Sequence, residues 1–322
     1  MMTSSTTCGM SSHGCLAMPT IFSPTKDKER MRLRIFIILT LFCLQSVFAG
    51  SKRALLIGLS DYPKYKQTQL DWHNIHGAND VALIGGTLKK QGFTVTTLTN
   101  KQATAQAVRK AFARLAKQTK AGDLIYVHFS GHGQPFEDRN GDEADGWDES
   151  LVPYNAGQRY VANVYDGRNH IIDDELNVYI TNIRKKAGVR GFVYVVLDAC
   201  HMGGASRGDE DDEDSVYVRG SNVGFSRSGK VFMPRIDTRP VIKVPVGKNM
   251  APTCYLEACR SYQANTEIKE GKQYYGPLSY YINKALSHNK LNTNTAWIDN
   301  VRKLMNADRR LVKQNMVVER SK

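Results

Sequence analysis

Four short, almost unbroken apolar runs constrain this chain more than any other feature. They lie at 53–59 (RALLIGL), 124–129, 192–199 (FVYVVLDA) and 253–258. Runs of this length suit strands buried on both faces, which requires helices on each side of the sheet. The intervening stretches supply them. Residues 75–91 carry Ala78, Val81, Ala82, Ile84 and Leu88 at helical spacing and end at Gly92, a residue suited to closing a helix. Residues 104–118 repeat the pattern through Ala107, Val108, Ala111 and Leu115, with Thr104 placed to cap. Residues 173–186, 277–287 and 296–310 also read as helices, and 93–98 as a strand. Alternation of this kind predicts an α/β fold with a mostly parallel sheet.

In such sheets the chemistry gathers outside the carboxyl ends of the strands. The run at 124–129 leads into Ser130-Gly131-His132-Gly133, and the run at 192–199 into Cys200-His201-Met202-Gly203-Gly204. If the two strands are neighbours, a histidine and a cysteine meet at one edge. A thiol is a weak nucleophile until a base takes its proton, and His132 is such a base. The backbone amides of Gly133 and Cys200 are candidates for an oxyanion hole. His201 is expected to point away from its neighbour, and His128 to be packed in its strand. Trp72, His73 and His76 read as loop and helix-start residues.

The segments Tyr126–Gly133 and Val195–Gly203 resemble the two active-site motifs of the caspase-like cysteine peptidases, most closely the metacaspase branch. The resemblance also takes in residues 54–60, 77–80, 142–153 and 171–176, so that it spans about residues 52–205; a weaker match covers 251–288. It implies a caspase-like three-layer αβα sandwich. Residues 52–205 would form the large-subunit-like part and 251–322 the small-subunit-like part. By the same resemblance Cys200 is the nucleophile and His132 its base, and the reaction needs no cofactor. Asp80 and Asp198 match the acidic floor of the first specificity pocket, which implies protein or peptide substrates with Arg or Lys before the cut. Two carboxylates in a strand-end cleft favour a guanidinium, which pairs with carboxylate bidentately. A catalytically inactive caspase-like binding or assembly module is the competing reading.

Residues 138–149 hold six carboxylates in twelve positions, the hard oxygen ligands that calcium takes. An EF-hand is excluded, because Glu143 occupies the position that demands Gly and no helix precedes the loop. The metacaspase resemblance implies a calcium site built from Asp148, Asp173 and Asp174, with a fourth acid at Asp209 or Glu210. A solvated acidic loop, with Asp173 capping its helix, is the plainer alternative.

Residues 206–250 differ from the rest: rich in Gly, Ser and charge, they read as an exposed, flexible linker. Eight Lys or Arg lie there (Arg207, Arg219, Arg227, Lys230, Arg235, Arg239, Lys243 and Lys248), each a candidate site of self-cleavage by a basic-specific peptidase. At the other end, residues 31–49 combine Arg32 and Arg34 with an apolar run and a small residue at Ala49, the pattern of a secretory signal peptide. Residues 1–30 read as an upstream extension. The expected location is therefore periplasmic or extracellular. Beyond the leader only Cys200, Cys254 and Cys259 remain, an odd number, so one thiol is expected outside any disulfide. Residues 1–50 also take three units of the +13 formal charge. With no nucleic-acid-binding motif and no aromatic-interleaved basic patch, no nucleic-acid partner is expected, and no membrane association after the leader is cut.

Overall fold

The computed structural model describes residues 50–143, 145–200, 216–234, 236, 242–244 and 247–321. The first half runs β1 (Lys52–Gly58), α1 (Gly77–Lys90), β2 (Thr94–Thr99), α2 (Ala105–Gln118), β3 (Leu124–Ser130), β4 (Gly133–Glu137), β5 (Trp147–Leu151) and β6 (Ile171–Ile172). It continues with α3 (Asp173–Ala187), β7 (Phe192–Asp198), β8 (Ile242–Val244), β9 (Thr253–Glu257), β10 (Ile268–Glu270) and β11 (Gln273–Tyr275). The last elements are α4 (Pro277–Leu286), α5 (Trp297–Ala307) and β12 (Val317–Ser321). The leader expected at 31–49 lies outside the described residues. Among those described, no helix is long and apolar enough to cross a membrane.

Seven strands form one sheet in the order β2–β1–β3–β7–β9–β12–β8, parallel throughout except where β12 runs against β9. β3 and β7 are buried along their whole length, as their continuous apolar runs require. β2 lies at an edge and half exposed, which suits its threonines. β12, of five residues, and the hairpin of the three-residue strands β10 and β11 were not expected; strands this short show little or no period.

Period-two alternation divides the core in two. Leu56, Tyr126, Tyr194 and Leu256 face one way, against Ile84 and Leu88 of α1, Ile282 of α4 and Val301 of α5. Leu55, Val127, Val195 and Tyr255 face the other way, against Phe112 of α2 and Ile180 of α3. The result is the expected three-layer αβα sandwich. Thr104 caps α2 by accepting from the Ala107 amide (3.3 Å), and Gly92 closes α1 at φ +83°.

β1 lies between β2 and β3, so the chain turns to opposite sides on leaving β1 and β2. That reversal opens a crevice at the carboxyl ends of β1 and β3. α1 enters the crevice at a point of close backbone approach. A Cβ on Gly77 would lie 2.3 Å from the Ser130 carbonyl oxygen and 2.6 Å from that of Leu59. Gly77→Ala should therefore push α1 off the sheet and cost about 1–3 kcal/mol. Urea denaturation in a Cys200→Ala background checks this, with Gly86→Ala, which meets nothing within 4 Å and should instead stabilise the helix by up to about 1 kcal/mol, as the contrasting control.

Candidate active site

The loop after β3 fixes His132 from several directions. Its amide donates to Tyr62 Oη (3.1 Å), and its carbonyl accepts from the Val152 amide (3.0 Å). Trp72 stacks on the imidazole with centroids 4.7 Å apart, and His73 meets it edge-on at 4.4 Å. Nε2 lies 2.9 Å from the carbonyl oxygen of His73. A carbonyl only accepts, so Nε2 carries the proton and Nδ1 presents a lone pair. Nδ1 is buried without a hydrogen-bond partner. Burial holds the imidazole well below its ordinary 6.5, and the His73 ring adds to the shift. His132 is thus a neutral base. Trp72 and His73 do lie in the loop before α1, but they also hold this base, a role the sequence reading did not give them. His128 is packed as expected, between Tyr126 Oη (3.1 Å) and Ser279 Oγ (3.0 Å).

Cys200 lies two residues past β7 and is fully buried. Its Sγ donates to the Gln263 carbonyl (2.8 Å). Cys259 lies beside it: its thiol reaches the same carbonyl (3.5 Å), and the neighbouring Cys200 thiol, with burial, pushes it well above its ordinary value. No disulfide joins Cys200, Cys254 or Cys259. The two amides expected to form an oxyanion hole converge on one oxygen. Cys200 N (2.9 Å) and Gly133 N (3.2 Å) both donate to the carbonyl of Arg219.

The side chain of Arg219 fills the acidic pocket. Nη1 lies 2.6 Å from Asp80 Oδ2 and 3.6 Å from Asp198 Oδ1, and Nη2 lies 2.7 Å from Glu267 Oε1, with all four side chains fully buried. Ser130 Oγ donates to Asp80 (2.5 Å), and the Gly276 amide donates to it as well (3.0 Å). Asp198 accepts from Asn265 Nδ2 (2.7 Å) and from the Ser279 amide (2.7 Å). Burial pushes Asp80 up to about 7 while Arg219 pulls it down. Burial also raises Glu267, but Arg219 and His76 outweigh it and bring that carboxyl below its ordinary value. Asp80 and Asp198 therefore stand where the sequence placed them, with Glu267 as a third carboxylate that no motif announced.

One expectation is corrected here. The linker of 206–250 is not exposed throughout: Tyr217, Val218, Arg219, Ser221 and Phe225 are buried, while Arg227 to Val231 are exposed as expected. Paired charge and an aromatic anchor give this polar-looking stretch somewhere to go. His201, Met202, Gly203 and Gly204 lie outside the described residues.

The acidic loop joins β4 to β5 beside α3. Carboxylate oxygens of Asp138, Asp142 and Asp148 come within 4.8 Å of one another. Asp148 and Asp173 line one small cavity with Glu143, Asp145 and Glu149, and Asp173 Oδ1 is buried there without a partner. Burial, and then the surrounding carboxylates, push Asp148 up to about 6 and Asp173 up to about 7. Asp174 instead accepts from Asn140 Nδ2 (2.7 Å). Asp173 does not cap α3; that position is Ile172. The fourth acid expected at 209 or 210 lies outside the described residues. This clustered, under-neutralised donor set fits a hard divalent cation.

Comparison with known proteins gives the family and the fold. The sequence profile of the caspase domain matches residues 51–322. Metacaspase-2 of Arabidopsis thaliana is 33% identical over 164 residues, covering 48% of this chain and 35% of that protein. Metacaspase-1B of Neurospora crassa is 28% identical over 160 residues, with the same coverage of 48% and 35%. The matches thus span about a third of the length of these relatives. A Geobacter sulfurreducens protein of known crystal structure shares the fold, with a TM-score of 0.56 at 19% identity over 84% of this chain and 94% of that one.

The buried, lone-pair-bearing His132 has a spectroscopic consequence. In full-length Cys200→Ala protein its ring resonances should stay at their neutral positions through pH 6.5, where a free imidazole is half protonated. An NMR pH titration of the assigned His132 ring resonances checks this, and a ring that protonates between pH 6 and 7 would contradict it.

Proposed function

The chain belongs to the caspase-domain family of cysteine peptidases, and from that premise we propose that it is an endopeptidase that cleaves after Arg or Lys. The observation that carries this reading is the placement of an arginine. Its carbonyl oxygen sits between the Gly133 and Cys200 amides, and its guanidinium sits among three carboxylates. A substrate arginine in the same place would present its carbonyl carbon to Cys200. His132 Nδ1 takes the thiol proton and the thiolate attacks. The two amides hold the oxygen as it gains charge, and His132 returns the proton to the leaving amine before water releases the acyl group. Asp80, Asp198 and Glu267 repel an acidic side chain at this position and pair with a basic one.

Calcium belongs to the same proposal. Asp148, Asp173 and Asp174 would hold the ion, helped by Asp138 and Asp142, and it would supply positive charge against the mutual repulsion of this loop. Self-processing within 206–250 is supported by the basic residues of that segment. Export to the periplasm or beyond is supported by the leader pattern at 31–49. One observation favours the non-catalytic reading, in which the domain binds or assembles: the cleft is filled by the chain itself.

Hydrolysis of coumarin peptides separates the two readings. Peptides ending in Arg should be cut best, those ending in Lys next, and those ending in Asp not at all, with all activity lost in Cys200→Ala. Glu267→Gln should lower kcat/KM on the Arg peptide about 100-fold, because a buried guanidinium loses its partner. No hydrolysis of any basic peptide would leave the binding module as the better reading. Separately, calcium should raise Tm relative to chelator, and Asp173→Asn should abolish that rise; equal shifts in both proteins would remove the calcium assignment.

A further inference from the structure

The segment that fills the cleft lies there as a peptide substrate would. Before the central arginine, the Tyr217 carbonyl accepts from the Glu267 amide (2.9 Å), and the Arg219 amide donates to the Asn265 carbonyl (3.0 Å). These bonds make an antiparallel bridge between Val218 and Thr266, the pattern of a strand added to an open edge. Tyr217 and Arg219, two residues apart, face the same side of this extended stretch. Arg219 enters the carboxylate pocket, while the ring of Tyr217 lies 4.7 Å from His76 and 4.9 Å from Tyr274. His73 Nε2 holds the Val218 carbonyl (2.8 Å).

Beyond the arginine the segment is anchored again. Gly220 pairs in parallel with Gly133, and the Phe225 amide donates to the Pro135 carbonyl (2.7 Å). Phe225 is fully buried and stacks on Phe136 at 4.9 Å. Between the two anchors, Gly220 is pressed onto the nucleophile. A Cβ built on it would lie 2.2 Å from the Cys200 carbonyl oxygen and 3.1 Å from Cys200 Cβ.

Building on the peptidase reading above, we propose that residues 217–225 are a built-in substrate. Cys200 cuts its own chain between Arg219 and Gly220, and the cleft selects glycine on the leaving-group side. Until the cut, the same segment keeps other peptides out. In the reaction the Cys200 thiol proton passes to His132, and Sγ bonds to the carbonyl carbon of Arg219. The bond from that carbon to Gly220 N breaks as His132 returns the proton to that nitrogen, freeing an amino terminus at Gly220. Water then hydrolyses the thioester, leaving a carboxylate on Arg219 and restoring the thiol. Among the described basic residues of the segment, Arg219 is bound in this register. Arg227 instead lies over Tyr160 and Lys230 over Trp147.

The test follows full-length protein with and without millimolar calcium by intact mass and N-terminal sequencing. Wild type should yield a chain beginning at Gly220, and Cys200→Ala should stay whole. Arg219→Lys keeps the pocket charge and should still be cut, whereas Gly220→Ala should be cut about tenfold more slowly or worse. A measurement in trans covers the case in which a variant fails to fold. The peptide Tyr-Val-Arg-Gly-Ser-Asn should be hydrolysed about tenfold faster than Tyr-Val-Arg-Ala-Ser-Asn. Cleavage after another basic residue, equal rates for the two peptides, or an uncut chain that hydrolyses Tyr-Val-Arg-coumarin would overturn this inference and leave the peptidase reading intact. Failure of every preparation to hydrolyse any Arg peptide would remove both.

Discussion

The buried arrangement of Arg219 with Asp80, Asp198 and Glu267 is the interaction on which the rest of the site depends. Taking four charges out of water costs several kcal/mol for each ion, and such a cost is met only with close geometry and additional hydrogen bonds. Each carboxylate has them. Asp80 uses Ser130 and the Gly276 amide, Asp198 uses Asn265 and Ser279, and Glu267 uses His76. These partners come from α1, β3, α4 and the strand-like stretch before β10, so the pocket ties the ends of several elements together. Arg219 is then the counter-ion that three inward-facing acids require, and its carbonyl is carried between the Gly133 and Cys200 amides as a consequence.

Topology explains why Asp80, His132 and Cys200 lie at one edge of the sheet. β1, β3 and β7 are adjacent and parallel, so their carboxyl ends open on one edge. Asp80 stands one turn into the helix after β1, His132 two residues past β3, and Cys200 two residues past β7. The close contact of Gly77 with the turn after β3 sets the depth of α1 and hence of Asp80. Electrostatically the edge is divided in two. An acidic pocket filled by a fixed cation lies beside a base kept neutral by burial under Trp72 and Tyr62.

Much of this was legible in the sequence because it rests on local pattern. The apolar runs at 53–59, 124–129, 192–199 and 253–258 each became a strand, and helical spacing located α1 and α2 within a few residues. His132, Cys200, Asp80 and Asp198 were readable because each sits just past a strand or in the first turn of a helix. What escaped depends on distant partners. Glu267 is one acid in a patternless stretch. Arg219 is one of eight basic residues in a polar segment, and only the three-dimensional pocket distinguishes it. Composition pointed the wrong way for this segment, since polarity usually means exposure, whereas here paired charge and Phe225 bury it. Trp72 and His73 escaped for a similar reason: stacking on an imidazole leaves no period and no motif.

The place of β9 in the sheet has a consequence of its own. It lies between β7, which precedes residues 216–225 in the chain, and β12, which follows them. A break within that segment severs no pairing in the main sheet, so the folded molecule would scarcely register it. The unfolded molecule would. Before the break, unfolding and refolding are unimolecular; afterwards each unfolding event releases two polypeptides that must find one another again. Refolding would become second order in concentration, and at high dilution its rate would fall toward zero while the rate of unfolding stayed the same. A nicked molecule of this architecture would therefore persist on kinetic grounds, and once lost it would not return.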